Sequence, residues 1–225
     1  MTNTPGANAI SVAENAVTDI MLLSKRSYEM STLMHQGKIR TAKQLFGHEL
    51  LGSTVGIVGY GHIGQAVAKM LSGFGVKTLI YNRTKRPTEY GEYVDLETLL
   101  KQSDYVTLHI AATKQTEHLI GEKELAMMKT SASLVNLARG SVVDEQALIT
   151  ALNTHQIASA ALDVFDEEPL PADSPFYKMD NVFLTPHTAS NTVEAGQNMA
   201  FGAAKMIDAA LSGQKPEWAV NNPQY

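Results

Sequence analysis

Residues 54–83 read TVGIVGYGHIGQAVAKMLSGFGVKTLIYNR. Val55, Ile57 and Val58 make a short apolar strand, Gly59, Gly61 and Gly64 follow as a G-x-G-x-x-G turn, Ile63 to Phe74 carries helical spacing, and Val76 to Tyr81 reads as a second strand. This is a βαβ unit of the roughly 30 residues such a unit needs. A lone G-x-G-x-x-G is weak, because glycines are common at turns. Set between a strand and a helix, with a second strand ending about twenty residues on, it predicts a dinucleotide site. Gly59 permits a tight turn, Gly61 lets backbone N–H groups reach a pyrophosphate, and Gly64 lets the helix pack closely on the strand so that its N-terminus faces the anion. The turn Gly59-Tyr60-Gly61-His62-Ile63-Gly64 is therefore the expected phosphate-binding segment.

The composition narrows the field around that unit. The chain has 225 residues, enough for one large domain or a domain with an appendage, and a net charge of −5. With no basic run in an acidic chain, a nucleic-acid surface is not expected. The absence of cysteine excludes disulfides, thiolate catalysis and Cys-ligated zinc, and fits a reducing cytoplasm. The first residues, MTNTPGANAISVAENAV, lack a basic segment followed by an apolar one, and nothing later reaches the length of a membrane span. No metal site is expected either. His35, His48, His62, His109, His118, His155 and His187 are scattered without paired ligand spacing, and neither a G-x-S-x-G nor a Walker A lysine occurs. Methionines such as Met21, Met70, Met127 and Met128 fall at helical spacing and read as core filler.

Ser11-Val12-Ala13-Glu14 reads as a capping box opening a first helix, and a second helix runs through Met30 and Leu33 to a stop at Gly37. From Gly56 onward apolar strand-like runs recur at Val55 to Val58, Thr78 to Tyr81, Tyr105 to His109, Leu134 to Leu137, Ala160 to Val164 and Val182 to Leu184. Runs this continuously apolar are those of strands covered on both faces. Helix starts fall between them, at Asp95, Gly121 and Asp144, and a final helix is expected from Asn191, with Glu194 as its capping partner, to Gly213. The predicted fold is α/β, a doubly wound parallel sheet.

Ligands of such sheets lie beyond the carboxyl ends of the strands, so the polar residues just after each strand are the candidates. After the second strand, Asn82 stands where a carboxylate commonly meets the ribose 2′-OH, and Arg83, Thr84, Lys85 and Arg86 follow. An amide with adjacent cations removes repulsion against a 2′-phosphate and supplies a guanidinium to bind it, which favours NADP over NAD. Arg83 and Arg86 as solvated loop charges is the plainer alternative. Arg139, Glu168 and His187 all follow later strands on the same rim. An arginine to grip a carboxylate, a histidine to donate a proton to a carbonyl oxygen and a carboxylate to hold that histidine are what reduction of a 2-keto acid requires. Taken singly each has a structural explanation; the joint placement is what points to chemistry.

The motifs NTPGANAISVAE, GIVGYGHIGQAVA, LVNLARGSVVDEQAL, ALDVFDEEP and NVFLTPHTA, in that order, resemble the D-isomer-specific 2-hydroxyacid dehydrogenase family, which includes phosphoglycerate dehydrogenase, D-lactate dehydrogenase and glyoxylate/hydroxypyruvate reductase. The resemblance covers nearly the whole chain and implies a Rossmann-like NAD(P)-binding domain. It implies Arg139 as the substrate-binding arginine, His187 as acid/base and Glu168 as its partner. It places Asp163 against the nicotinamide carboxamide, His62 and Ile63 at the pyrophosphate, Leu137 and Ala138 beside the nicotinamide, and Ile110, Ala111 and Thr116 at the adenosine-side loop, where the family often has proline in place of Ala111. It implies a homodimer with the first helix crossing to the partner, a small 2-keto or 2-hydroxy acid as substrate, and a cytoplasmic location.

By the same resemblance the dinucleotide-binding domain spans residues 1–190, including N-terminal helices over 11–36, and residues 191–225 are a helix and tail belonging to a substrate domain. A preceding segment of on the order of 100 residues, one small domain, is expected to be missing, and with it the loop that would hold the substrate carboxylate. Two activities follow as alternatives to NADPH-dependent reduction of glyoxylate, hydroxypyruvate or a related acid. One is a dinucleotide-binding module with little turnover, since no lid would exclude water; the other is an NAD-dependent enzyme like phosphoglycerate dehydrogenase. An adenosylhomocysteinase-like protein gives no role to Arg139 and His187 together.

Overall fold

The computed structural model describes residues 1–221; residues 222–225, the end of the expected tail, lie outside the described residues. Seven strands among the described residues form one parallel sheet: β1 (Thr54–Val58), β2 (Lys77–Tyr81), β3 (Glu92–Tyr93), β4 (Tyr105–Leu108), β5 (Ser133–Asn136), β6 (Ser159–Leu162) and β7 (Val182–Leu184). Their order is β3-β2-β1-β4-β5-β6-β7, so the direction of winding reverses between β1 and β4. The chain leaves those two neighbouring strands in opposite directions and opens a crevice at their carboxyl ends.

The strands alternate their side chains between two apolar layers, as the two-residue period of a strand dictates. Val58, Leu79, Val106, Leu108, Leu134 and Leu162 face one layer, closed by Leu99 and Leu100 of α5 (Leu96–Gln102), Leu125 of α6 (Glu122–Met127) and Leu148 and Leu152 of α7 (Glu145–Asn153). Val55, Ile57, Ile80, Val135 and Ala161 face the other, closed by Ala13, Ala16 and Ile20 of α1 (Ala9–Lys25) and Val67, Ala68 and Leu71 of α4 (His62–Leu71). The small Ala13 and Ala16 have no exposed surface and let α1 lie close on its neighbours. α2 (Ser27–His35) and the single turn α3 (Ile39–Ala42) bury almost nothing, and α8 (Val193–Leu211) buries only Ala195 and Met206 along its length.

The doubly wound sheet and the six apolar strands read in the sequence are present, with ends shifted by one or two residues. Asp95 and Asp144 cap α5 and α7 by accepting from the N–H groups of Thr98 and Ala147. Three local readings differ. The first helix starts at Ala9 after the turn at Gly6, so Ser11 lies inside it and forms no capping box; its hydroxyl bonds that of Thr192 at 2.7 Å. The last helix is capped by Thr192, which accepts from Ala195 N–H, one residue after the expected Asn191. The helix after the glycine turn ends at Leu71 and finishes as a tighter turn over Ser72–Phe74.

One buried group in α1 carries a measurable consequence. Asp19 is 2 % exposed, and burial together with the nearby Asp163 carboxylate pushes it up to about 7 from 3.8. Between those values the folded chain holds a proton that the unfolded chain has released, so stability falls as pH rises through this window, by about 1.4 kcal/mol for each tenfold change in proton affinity. Asp19→Asn should flatten that fall in denaturant midpoints measured from pH 4 to 8 and raise stability at the alkaline end. A slope untouched by the substitution would mean that Asp19 is ionised within the fold.

Candidate active site

The glycine turn is built by close approach. Gly59 has φ +102, and a side chain there would meet the His109 carbonyl at 2.5 Å; a side chain at Gly64 would meet the Gly59 carbonyl at 2.0 Å. β1, β4 and α4 therefore converge only because both positions lack a Cβ. A Cβ at Gly61, by contrast, would meet nothing within 4 Å, leaving open space in front of the N-terminus of α4, whose first N–H groups have no intrahelical acceptor. A cleft of about 430 Å³ runs from there, lined by Gly59, Gly61, Asn82, Arg83, Thr84, Ile110, Ala111 and Thr116 of the expected residues, and by Tyr81, Arg86, His109, Thr113, Gln115 and Leu119 besides.

Asn82 does more than leave a carboxylate out. Its Oδ1 accepts from Tyr60 N–H at 3.0 Å and its amide donates to the Thr84 carbonyl at 2.5 Å, so it locks the turn after β2 to the glycine turn after β1. Thr116 organises the facing loop, donating to the Ala111 carbonyl at 2.7 Å and accepting from Thr113 N–H at 2.8 Å. His109 is the residue the sequence reading passed over. Its Nε2 lies 2.9 Å from the Thr107 hydroxyl, and its Nδ1 is buried with no partner among the described residues. Burial lowers it to about 3, so the imidazole is neutral. An open cradle at Gly61 and an unsatisfied nitrogen in the same cleft wall are what a dinucleotide phosphate-and-ribose site would show before its ligand is considered. Two expected residues sit differently: the ring of His62 packs beneath Gly6, and Tyr60 is 2 % exposed with its side chain turned to the neighbouring loop.

The second half of the site lies at the exits of β5, β6 and β7. His187 Nδ1 and Glu168 Oε2 are 2.6 Å apart, with side chains 47 % and 36 % exposed. Burial raises Glu168, but the hydrogen bonds from His187 and from Phe165 N–H, and the charges of His187 and Arg139, outweigh it and hold the carboxyl below its usual range. Arg139 is exposed, and its Nη1 donates to the Ala138 carbonyl at 2.6 Å. Asn136 shapes the turn that carries it, accepting from Ala138 N–H and donating to the Arg139 carbonyl, both at 3.1 Å. Leu137 and Ala138 are buried beneath that turn. A cleft of about 490 Å³ beside the pair is lined by Phe165, Leu170, Tyr177, Leu184 and Pro186 as well as Glu168 and His187.

His187 stands at φ +54, a left-handed conformation that costs a non-glycine residue on the order of 1–3 kcal/mol. Asp163 holds it there. The aspartate is 1 % exposed; its carboxylate accepts from the Thr185 hydroxyl at 2.5 Å, Thr188 N–H at 2.8 Å and Ala189 N–H at 2.9 Å, while its carbonyl accepts from His187 N–H at 2.7 Å. The resemblance places Asp163 beside a nicotinamide carboxamide; the structure shows most of its acceptor capacity spent on the loop bearing His187. Among the described residues no group of three or more metal-binding side chains is assembled, and no helix is long and apolar enough to cross a membrane.

Known proteins resemble nearly the whole chain. A glyoxylate reductase of Thermococcus litoralis is 44 % identical over 231 residues, with 98 % of this chain and 70 % of the relative covered, and one of Thermofilum pendens is 46 % identical over 229 residues, covering 98 % and 68 %. The solved structure of a D-lactate dehydrogenase with NAD+ from Lactobacillus jensenii superposes with a TM-score of 0.91 at 36 % identity, covering 98 % of this chain and 71 % of that one. Residues 17–189 match the family described as D-isomer specific 2-hydroxyacid dehydrogenase, NAD binding domain. The sheet that winds outward from β1 and β4, the glycine turn and the rim at β5–β7 thus have a common origin: the chain belongs to the D-isomer-specific 2-hydroxyacid dehydrogenase family.

Proposed function

We propose that this chain is an oxidoreductase that reduces a small 2-keto acid of the glyoxylate or hydroxypyruvate kind to its 2-hydroxy acid, with NADPH as the preferred cofactor. The observation that carries the reading is the His187–Glu168 pair at 2.6 Å on the same rim as Arg139, whose charge helps to lower Glu168. When bound in the cleft, the nicotinamide supplies the hydride for the carbonyl carbon. The free N–H donors of Arg139 bind the substrate carboxylate, and its charge polarises the carbonyl. Glu168 accepts from Nδ1–H of His187, which fixes the ring, and the proton on Nε2 passes to the carbonyl oxygen as it becomes a hydroxyl. In the reverse direction the same nitrogen takes that proton back.

The cofactor preference rests on Asn82, Arg83 and Arg86 at the cleft, where cations replace the usual ribose-binding carboxylate. The cysteine-free composition fits a cytoplasmic location. The exposed Met34, Ile39, Phe46 and Leu51 on and after α2 fit a homodimer in which this arm meets a second copy. Residues 1–190 would form the dinucleotide domain and 191–225 an element of a second one, in keeping with the small contribution of α8 to the core. A second reading, a dinucleotide-binding module with little turnover, draws on the openness of the His187–Glu168 pair, because exposed charges are screened and water is not excluded.

Oxidation of NADPH by the purified chain with glyoxylate or hydroxypyruvate should be measurable; tight cofactor binding without oxidation would favour the module. His187→Ala should lower turnover by on the order of a hundredfold or more and leave cofactor affinity within a few-fold. Equal loss of both would make the residue structural. Arg83→Asp should reduce the ratio of NADPH to NADH affinity more than tenfold, about 1.4 kcal/mol, and an unchanged ratio would remove the 2′-phosphate assignment. Asp163→Asn turns an amide toward N–H donors, so kcat should fall roughly tenfold or more while cofactor affinity holds, together with a lower thermal midpoint, as expected when a buried acceptor is lost.

A further inference from the structure

Tyr60, between the first two glycines of the turn, has a set of contacts that the proposed reaction does not use. Its ring is 2 % exposed and meets Tyr93 edge-on, with centroids 5.8 Å apart and planes at 78°. Its hydroxyl is hydrogen-bonded to that of Thr88, and the Thr88 oxygen also accepts from Tyr90 N–H at 3.0 Å. Tyr93 in turn accepts at its hydroxyl from Arg86 N–H at 2.9 Å, and the Lys85 ammonium lies 5.9 Å from its ring centre. Thus the excursion between β2 and β3, which carries Arg83 and Arg86 to the cleft, is fastened once to the buried Tyr60 of the glycine turn, through Thr88, and once to Tyr93, whose ring lies edge-on against Tyr60.

We propose that Tyr60 is a specificity-positioning residue: through the Thr88 hydroxyl and the Tyr93 ring it holds the β2–β3 loop so that Arg83 and Arg86 face a 2′-phosphate. A long loop with free cations would lose conformational entropy on gripping an anion, and a loop already fastened loses less, so the tether stabilises binding of the phosphorylated ribose in particular. The unphosphorylated cofactor asks nothing of those arginines and is indifferent to the tether. This inference rests on the NADP reading above, and it adds a residue that does not itself line the cleft.

Calorimetric titration of the purified chain with NADPH and with NADH tests it. Tyr60→Phe keeps the ring and removes only the hydroxyl, and Thr88→Val removes the other end of the bond. Each should weaken NADPH about fivefold or more, while NADH affinity stays within about twofold and the thermal midpoint falls by no more than about 5 °C, the scale of one lost hydrogen bond. Thr88→Ser should restore the preference, and the double variant should be no worse than either single one, because both cut the same link. Parallel loss of NADPH and NADH affinity, or an unmoved ratio in both single variants, would overturn the role of Tyr60. If the wild-type chain itself binds the two cofactors equally, the 2′-phosphate reading falls and this inference falls with it; a wild-type preference left unreduced by Tyr60→Phe and Thr88→Val removes this inference alone.

Discussion

The carboxylate of Asp163 sits at the end of β6 with almost no exposed surface, and burying an acid there is tolerable only because donors surround it. Those donors come from Thr185, Thr188 and Ala189, on both sides of His187, so satisfying the acid bends the chain into the left-handed step at His187. The imidazole is half exposed and packs too lightly to hold itself. Its position is inherited from the backbone, and the backbone's from the hydrogen bonds of one buried side chain. Glu168 then adds the rotational constraint on the ring, from a loop whose Phe165 N–H holds the carboxylate in turn.

The opposite half of the crevice follows a different principle. There the controlling contacts are steric: the carbonyl of His109, just after β4, lies where a Gly59 side chain would be, and the Gly59 carbonyl lies where a Gly64 side chain would be. No charge is needed to shape the glycine turn. Charge enters only along its margin, at Arg83 and Arg86, where the loop is irregular and its placement relies on Asn82 and on aromatic side chains below it. One half follows β1, β2 and β4 and the other follows β5, β6 and β7, so the two are shaped by interactions that share almost no residues.

Much of this was legible along the chain because the signals are local. Apolar runs covered on both faces, the capping aspartates Asp95 and Asp144, and strand-exit positions for Arg139, Glu168 and His187 need no knowledge of distant residues. What escaped depends on partners far away in sequence. Ser11 looked like a cap, yet Thr192, 181 residues on, takes its hydroxyl. β3 is two residues long and exists by pairing with β2, so no run announced it. His109 follows an apolar strand and looked like one of several scattered histidines; only the packed turn shows that one of its nitrogens is sealed off without a partner among the described residues. Asn82 was read as a missing carboxylate, and its work as a lock between two turns needed Tyr60 N–H in place.

Thr2 pairs with Ala219 in an antiparallel bridge, and Asn3 N–H reaches the Trp218 carbonyl, beside the α8 glycine Gly202 that packs on Thr4 and Trp218. The sheet and its helices are therefore a closed loop of chain whose two limbs run out together at one corner. Such a body can be carried as a guest within a longer polypeptide, or cut open at a surface turn and rejoined at that corner, without altering the order of any buried strand.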